Sequence, residues 1–524
     1  MKYPNSSNLT ILLISILMTL SCAKDEDLFL QAIDENIQEE IEQEQNHPNG
    51  EDSLDSPIED SGAAGELKAF PAAYGAGAYT IGGRGGKVLE VTNLKDDGSI
   101  GSLRWALEQE YPRIVVFKVS GTINLSRRLN ISGESRNFLT VAGQTAPEGG
   151  ITIKNYTVEF WNVDNLILRY LTFRGAIDTY KKDGIAGYGC DNVVLDHISV
   201  SYAGDEAISW RDTESDGPSD VTIQNCLMAE GDPRHNTGTI LGSLNDTPAG
   251  KMSYIGNLNY NISHRFPNVA GQVDVEAVNN VIYNWKERLP RLVNARFDNI
   301  TFNQLNNYYY WGEVIAGGSY PYPNKKLDVI MNKVYPSSND FYVHSSGNIV
   351  RGISPNTLAD DINENNELSW SVLESITDKD GVAWQRHDKV PHSFFSENPF
   401  DLHGAPLPLV SAEEAFDLMK KEGSAGNSAY LDHNGVRHFY RDELDTRYIS
   451  DLNNGNSTNY YRSVSEFDYP TIPSGQGYLD SDHDGMPDDW EIANGFNPTL
   501  DDSSEDEDGD GYTNIEEFLN LIDL

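Results

Sequence analysis

The chain has 524 residues, enough for one large domain with smaller attachments and a sizeable core. Its 81 Asp and Glu against 38 Lys and Arg leave a formal net charge of -43, which argues against nucleic acid or an anionic membrane surface as partner. A polyanionic substrate would need the sign inverted locally, by a bound cation or by Arg and Lys gathered in a cleft.

In chain order, one Lys and a polar stretch precede an apolar run from Leu9 to Leu20, which ends Leu20-Ser21-Cys22-Ala23. Residues 1–22 are too short to span a bilayer and resemble a signal peptide with a lipoprotein cleavage box, leaving Cys22 as the lipidated first residue. The alternative is an ordinary signal peptide in which this Cys is accidental. The following Lys24-Asp25-Glu26-Asp27 resembles the acidic export signal of Bacteroidetes surface lipoproteins. A secreted, outer-membrane-anchored protein exposed at the cell surface is therefore expected. Residues 23–68 are acidic and poor in aromatics, as a solvated tether requires.

From Phe70 the character changes to Gly-rich turns and short β-branched runs. Stacking the runs exposes a repeat: Asn165-Leu-Ile-Leu-Arg-Tyr-Leu-Thr-Phe, Asn192-Val-Val-Leu-Asp-His-Ile-Ser-Val and Asp220-Val-Thr-Ile-Gln-Asn-Cys-Leu-Met. Aligning the residue after each short strand gives Gly143, Tyr170, His197, Asn225, Asn257, Asn280 and Asn307, with steps of 27, 27, 28, 32, 23 and 27. That period is too short for a helical hairpin and suits one turn of a parallel β-helix, which buries its apolar face only by stacking coils. The predicted fold is all-β, a right-handed parallel β-helix over 69–400. Asn225, Asn257, Asn280 and Asn307 are expected to form a ladder of amides at the coil bends. Cys190 and Cys226 read as two thiols packed in the interior stack, with a disulfide as the alternative.

Residues 401–478 are predicted to be an extension packed on the β-helix. Within it Ser411 to Lys421 has a Ser N-cap, acids in the first turn and Lys at the end, so a short helix is expected there. The tail, 479–524, matches the calcium loop D-x-D-x-D-G-x5-E twice: Asp480, Asp482 and Asp484 with Glu491, then Asp506, Asp508 and Asp510 with Glu517. Hard oxygen donors at alternate positions surround an ion, and the twelfth-position Glu closes the cage. A small EF-hand-like or thrombospondin type 3-like module holding structural Ca2+ is predicted.

The stretch Gly75-Ala-Gly-Ala-Tyr-Thr-Ile-Gly-Gly-Arg-Gly-Gly-Lys-Val, followed by Val91-Thr-Asn-Leu and Gly101-Ser-Leu-Arg-Trp-Ala, resembles the start of the pectate lyase family, polysaccharide lyase family 1, in its Bacteroidetes form. Val119-Ser-Gly-Thr-Ile, Val141-Ala-Gly-Gln-Thr-Ala-Pro, Val194-Leu-Asp-His, Asp205-Glu-Ala-Ile-Ser and Val278-Asn-Asn-Val-Ile-Tyr-Asn-Trp continue the likeness to about residue 310. The resemblance implies β-elimination at a uronic acid, in which a base removes the C5 proton and the C4 oxygen leaves. Positive charge must then sit on the substrate carboxylate, which a Ca2+ shared with the protein supplies.

By the same resemblance Asp183 and Asp205 are calcium ligands. The further acid expected four residues on is Ser209, so Glu206 is a candidate substitute. The family's base corresponds to Arg265 in Arg265-Phe-Pro267; its second Arg is Ala270 here, and its auxiliary Lys is Thr237. Should Arg265 only bind a carboxylate, His264 and His235 are candidate bases. Arg174, Arg234, Lys286, Arg288 and Arg291 are candidates for the missing substrate contacts, as is His235. Asp196 and His197 are implied to be a structural pair.

The expected partner is an acidic polysaccharide of the pectate class, bound by a monomer that meets membrane only through its lipid. The alternatives are a lyase for a different or methyl-esterified uronan, or a non-catalytic polysaccharide-binding β-helix. Polygalacturonases use the same helix with paired acids, but their Asn-Thr-Asp, Gly-His-Gly and Arg-Ile-Lys signatures are absent.

Overall fold

The computed structural model describes residues 67–175, 182–245, 247–293, 300–314, 331–335, 341–352, 357–378, 380–402, 404–457 and 469–523. The leader, Cys22 and most of the acidic linker lie outside them. Short runs such as Val193-Val-Leu and Val221-Thr-Ile suit strands because β-branched and aliphatic side chains pack on a pleated surface. They do so in three stacked parallel sheets of ten, nine and nine strands. The first runs from Lys87–Val91 to Phe341–Ser346, the second from Leu129–Ser132 to Trp370–Val372, and the third from Gly121–Asn124 to Ile349–Arg351. Each complete coil places one strand in each sheet, and the inward side chains merge into one continuous apolar core from Leu89 to Val390. This is the parallel β-helix expected from the repeat. Cys190 and Cys226 are both buried and free.

One row of bends is left-handed: Tyr170, His197, Asn225, Gly256, Asn279, Asn306 and Gly347 all have φ between 51° and 68°. Asn and Gly tolerate that region best, and Tyr170 and His197 are held there by ring stacking at 4.6 Å. The amide ladder runs one residue further along. Asn257 Nδ2 donates to Asn280 Oδ1 (3.1 Å), Asn280 to Asn307 (2.9 Å), Asn307 to Asn348 (2.8 Å) and Asn348 to Asn366 (3.1 Å). The place above Asn257 belongs to Cys226, whose N–H donates to Asn257 Oδ1. Asn225 is therefore a bend residue outside the ladder, and the aligned set slips by one between Asn225 and Asn257. The slip arises because Asn satisfies both the bend and the ladder.

The Gly-rich segment after Phe70 lies flat on the outer face of the first sheet. Gly77 and Gly83 donate backbone N–H groups to Thr222 and Thr140 hydroxyls, both at 2.9 Å. A Cβ at Gly77 would meet Val193 O at 2.3 Å, and one at Gly83 would meet Arg113 O at 2.0 Å, so close approach explains both glycines. The third sheet is covered by helix Glu443–Asn454, whose Leu444, Tyr448 and Leu452 pack on Tyr202, Tyr260 and Tyr283. The expected helix after Ser411 spans Ala412–Met419, with the Ser411 hydroxyl accepting from Glu414 N–H. The tail packs Met486, Trp490, Ile515 and Phe518 against Ile114, Val116 and Tyr170 of the first sheet. No helix among the described residues is long and apolar enough to cross a membrane.

Candidate active site

The second sheet carries the candidate site, and parallel stacking explains how residues distant in sequence meet. Asp183 precedes strand Ile185–Tyr188, Asp205 precedes Glu206–Arg211, and His264 bridges to Thr237 at the head of Thr237–Gly242. Carboxylate oxygens of Asp183, Asp205 and Glu206 lie within 4.8 Å of one another. Arg265 Nη1 is paired with Glu206 and lies 3.7 Å from Asp205, and His235 Nε2 is 2.9 Å from Asp205 Oδ1. Burial and the Asp205 charge push the Asp183 carboxyl above its ordinary range. Burial also pushes Asp205 up, but the His235 hydrogen bond and the His235 and Arg265 charges outweigh it and hold that carboxyl low. Three convergent oxygen donors, one of them charged only at a penalty, form a set that a hard divalent cation fits. Arg265 itself has φ 75°, a left-handed backbone rare for a side chain of its size.

The residues that differ from the family pattern are also placed. Ser209 lies on the sheet between Ala186 and Ile240 in register, and Thr237 and Ala270 are buried without charge. Arg291 is in the same row as Ser209, three strands along, or about 14 Å. Its Nε donates to Asn268 Oδ1 at 2.7 Å. Arg288 pairs with Glu287 at 3.3 Å, Arg234 pairs with Asp232, and Lys286 immediately precedes Glu287, whose carboxylate lies 3.6 Å from His264 Nδ1. His264 stands edge-on to His235, ring centres 6.5 Å apart.

Arg174 does not join this group, which corrects its reading as a substrate contact. It is buried in the third sheet, donating to Asp442 (2.8 Å), Asp445 (2.7 Å) and Ser201 (3.0 Å). Helix Glu443–Asn454 brings those carboxylates, and the sequence around Arg174 carries no sign of them. Asp196 and His197 lie in the first sheet, where Asp196 binds Arg169 at 2.9 Å and His197 Nδ1 at 2.8 Å. Against the opposing effect of burial, those two charges hold the Asp196 carboxyl well below its usual range.

Three residues on the second sheet escaped the sequence reading. Trp161, Tyr188 and Arg211 are register partners on successive strands, with the two rings stacked at 4.1 Å and Arg211 5.1 Å from the Tyr188 ring centre. Stacking the coils in register is the signal that would have found them.

In the tail, Asp480, Asp482 and Asp484 converge, as do Asp506, Asp508 and Asp510. Helix Asp488–Asn494 carries Glu491 and helix Asn514–Asn520 carries Glu517. Asp484 and Glu491 are fully buried. Both Glu491 oxygens, both Asp482 oxygens, Asp484 Oδ2 and Glu517 Oε1 lack a hydrogen-bond partner among the described residues. Burial and mutual repulsion push Asp484 up to about 7 and Glu491 up to about 8. Unpartnered buried carboxylates are costly, so an all-oxygen donor set of this kind fits a divalent cation.

No family model matches the chain. "Probable pectate lyase C" of Emericella nidulans is 30% identical over 457 residues, covering 87% of this chain and 93% of that protein. Its namesake in Aspergillus terreus is 30% identical over 464 residues, covering 87% and 94%. Among solved structures, the cedar pollen allergen jun a 1 aligns with TM-score 0.46 and 18% identity over 67% of this chain and 93% of that one. A pectate lyase from Bacillus sp. N165, solved with trigalacturonate, aligns with TM-score 0.42 and 15% identity over 67% and 98%. With near full-length likeness at that identity, the chain belongs to the pectate lyase family and is a polysaccharide lyase.

Proposed function

We propose that the protein cleaves a uronic acid polymer, polygalacturonate before others, by calcium-assisted β-elimination that yields 4,5-unsaturated oligosaccharides. The observation that carries this reading is the convergence of Asp183, Asp205 and Glu206 beside Arg265 on one face of the second sheet. A calcium ion held by the three acids would place positive charge on the substrate carboxylate and stabilise the negative charge that grows next to C5. Arg265 is the group that meets the C5 proton, positioned by Glu206 and Asp205. His235 steadies Asp205 from its other side. Arg291, three strands along the sheet, and Arg288, three residues before it, are the cations proposed to meet later carboxylates of the polymer.

A methyl-esterified or different uronan is the second reading. It is favoured by the buried, uncharged Thr237 and Ala270, which leave two carboxylate contacts of the family pattern unmade. The two acidic loops of the tail are proposed to hold structural Ca2+, and Cys22 to carry the lipid that anchors a monomer to the outer membrane, facing outward. Nucleic acid is not a proposed partner.

The test uses protein lacking residues 1–22 with polygalacturonate, methylated pectin and other uronans at alkaline pH, with calcium or chelator, following ultraviolet absorbance of the unsaturated product. A calcium-dependent rise on one polymer, abolished in a folded Arg265→Ala variant, is the expected result and names the substrate. Full activity in Arg265→Ala, or activity indifferent to chelator, overturns the mechanism.

A further inference from the structure

We infer that Trp161, Tyr188 and Arg211 form a sugar-binding subsite beside the acid cluster, with the aromatic pair stacking on a pyranose ring and Arg211 taking a uronate carboxylate. This rests on the uronan reading above and extends it to residues with no role in the elimination itself. The three occupy one outward row of the second sheet, in register as Trp161 with Tyr188 and Tyr188 with Arg211. The positions flanking the three are small: Ser132 precedes Trp161, and Gly242 then Ala270 follow Arg211. Ser132 is exposed, so the face of Trp161 turned away from Tyr188 has no bulky neighbour in the row.

The residues beside this row fill the core and these do not. Trp210 is fully buried, and its ring occupies the space a Cβ at Gly187 would need, at 2.2 Å. Trp161, Tyr188 and Arg211 instead stay partly exposed. They are nonetheless held in place: Trp161 Nε1 donates to Glu159 Oε2 at 3.3 Å, Glu159 is paired with Arg128 at 3.2 Å, and Arg211 Nη2 donates to Tyr188 Oη at 3.4 Å. Preset rings lose little freedom on binding, and the C–H face of a pyranose complements an aromatic face. Arg211 Nε has no hydrogen-bond partner among the described residues. A planar fork with a spare donor suits a carboxylate in two-point contact. Asp183 heads the strand that carries Tyr188, and Asp205 heads the strand that carries Arg211. One sugar at the acid cluster and another on the platform would therefore be units of one polymer lying along the same face of the sheet.

Two measurements test this on protein lacking residues 1–22. With polygalacturonate as substrate, Trp161→Ala is expected to raise KM up to about tenfold with kcat within about twofold, while Trp161→Phe keeps the KM of the parent. In chelator, without turnover, retardation of the protein in a polygalacturonate-containing gel is expected to weaken by a similar factor in Trp161→Ala and in Arg211→Gln. The gel reads binding alone, so it remains decisive even if no polymer yields unsaturated product and the elimination reading falls. Unchanged KM and unchanged retardation in Trp161→Ala overturn the subsite. If Trp161→Ala does not fold, Arg211→Gln and Tyr188→Ala decide, and parent-like retardation in both overturns it equally.

Discussion

Replacing Asp191 by Asn is expected to stabilise the protein at pH 8 and to give only about a third of that gain at pH 5. Asp191 lies at a coil bend between Asp164, whose Oδ1 accepts its N–H at 3.0 Å, and Ser219, whose N–H it accepts at 2.7 Å. Burial, aided by the charges of Asp164, Asp216 and Asp220, raises its carboxyl from 3.8 to about 7 against the Ser219 hydrogen bond. The unfolded chain releases this proton near pH 4 and the folded chain keeps it until about pH 7. Between those values the native state binds more protons, so stability falls as pH rises through the window. At 1.36 kcal/mol per pH unit the ceiling is about 4 kcal/mol above pH 7. Partial exposure and the repulsion shared with Asp164 and Asp220 reduce the recoverable part to about 1–3 kcal/mol. Asn keeps an acceptor for Ser219 N–H and carries no charge. Denaturant unfolding of both proteins at pH 5 and pH 8 measures the difference. An equal effect at both pH values, or a loss at pH 8, would refute the reasoning.

Arg174→Ala strands Asp442 and Asp445 in a buried interface and is expected to cost about 3–5 kcal/mol, while specific activity of the folded fraction stays at the parent level. Asn280→Ala breaks bonds to Asn257, Asn307 and Tyr254 O and is expected to cost about 2–4 kcal/mol in denaturant unfolding. Asn225→Gly, at a left-handed bend outside the ladder, is expected to stay within about 1 kcal/mol; a loss as large as that of Asn280→Ala would restore Asn225 to the ladder. Chelator is expected to lower the thermal midpoint, and calcium at a hundredfold excess over its Kd to restore about 2.7 kcal/mol. Glu491→Gln is expected to lose the first tail loop's share of that calcium response, since that loop packs on the first coils through Met486.

The repeat of short apolar runs determined the parallel β-helix by itself, because a coil with one apolar face has no stable partner except another coil. The acidic loops, the buried thiols and the helix after Ser411 were legible for the same kind of local reason: spacing, size and capping are written in neighbouring residues. Asp183, Asp205 and Arg265 were reached only through the family resemblance. What the sequence alone did not decide was register, because the stretch between strands varies in length from coil to coil. A bend Asn such as Asn225 and a ladder Asn such as Asn257 look alike until the strands are stacked. The partners of Arg174 come from a helix some 270 residues away, as the 268 and 271 residue separations of its bonds record. Trp161, Tyr188 and Arg211 become neighbours only when three coils lie in register, so that platform belongs to the tertiary structure.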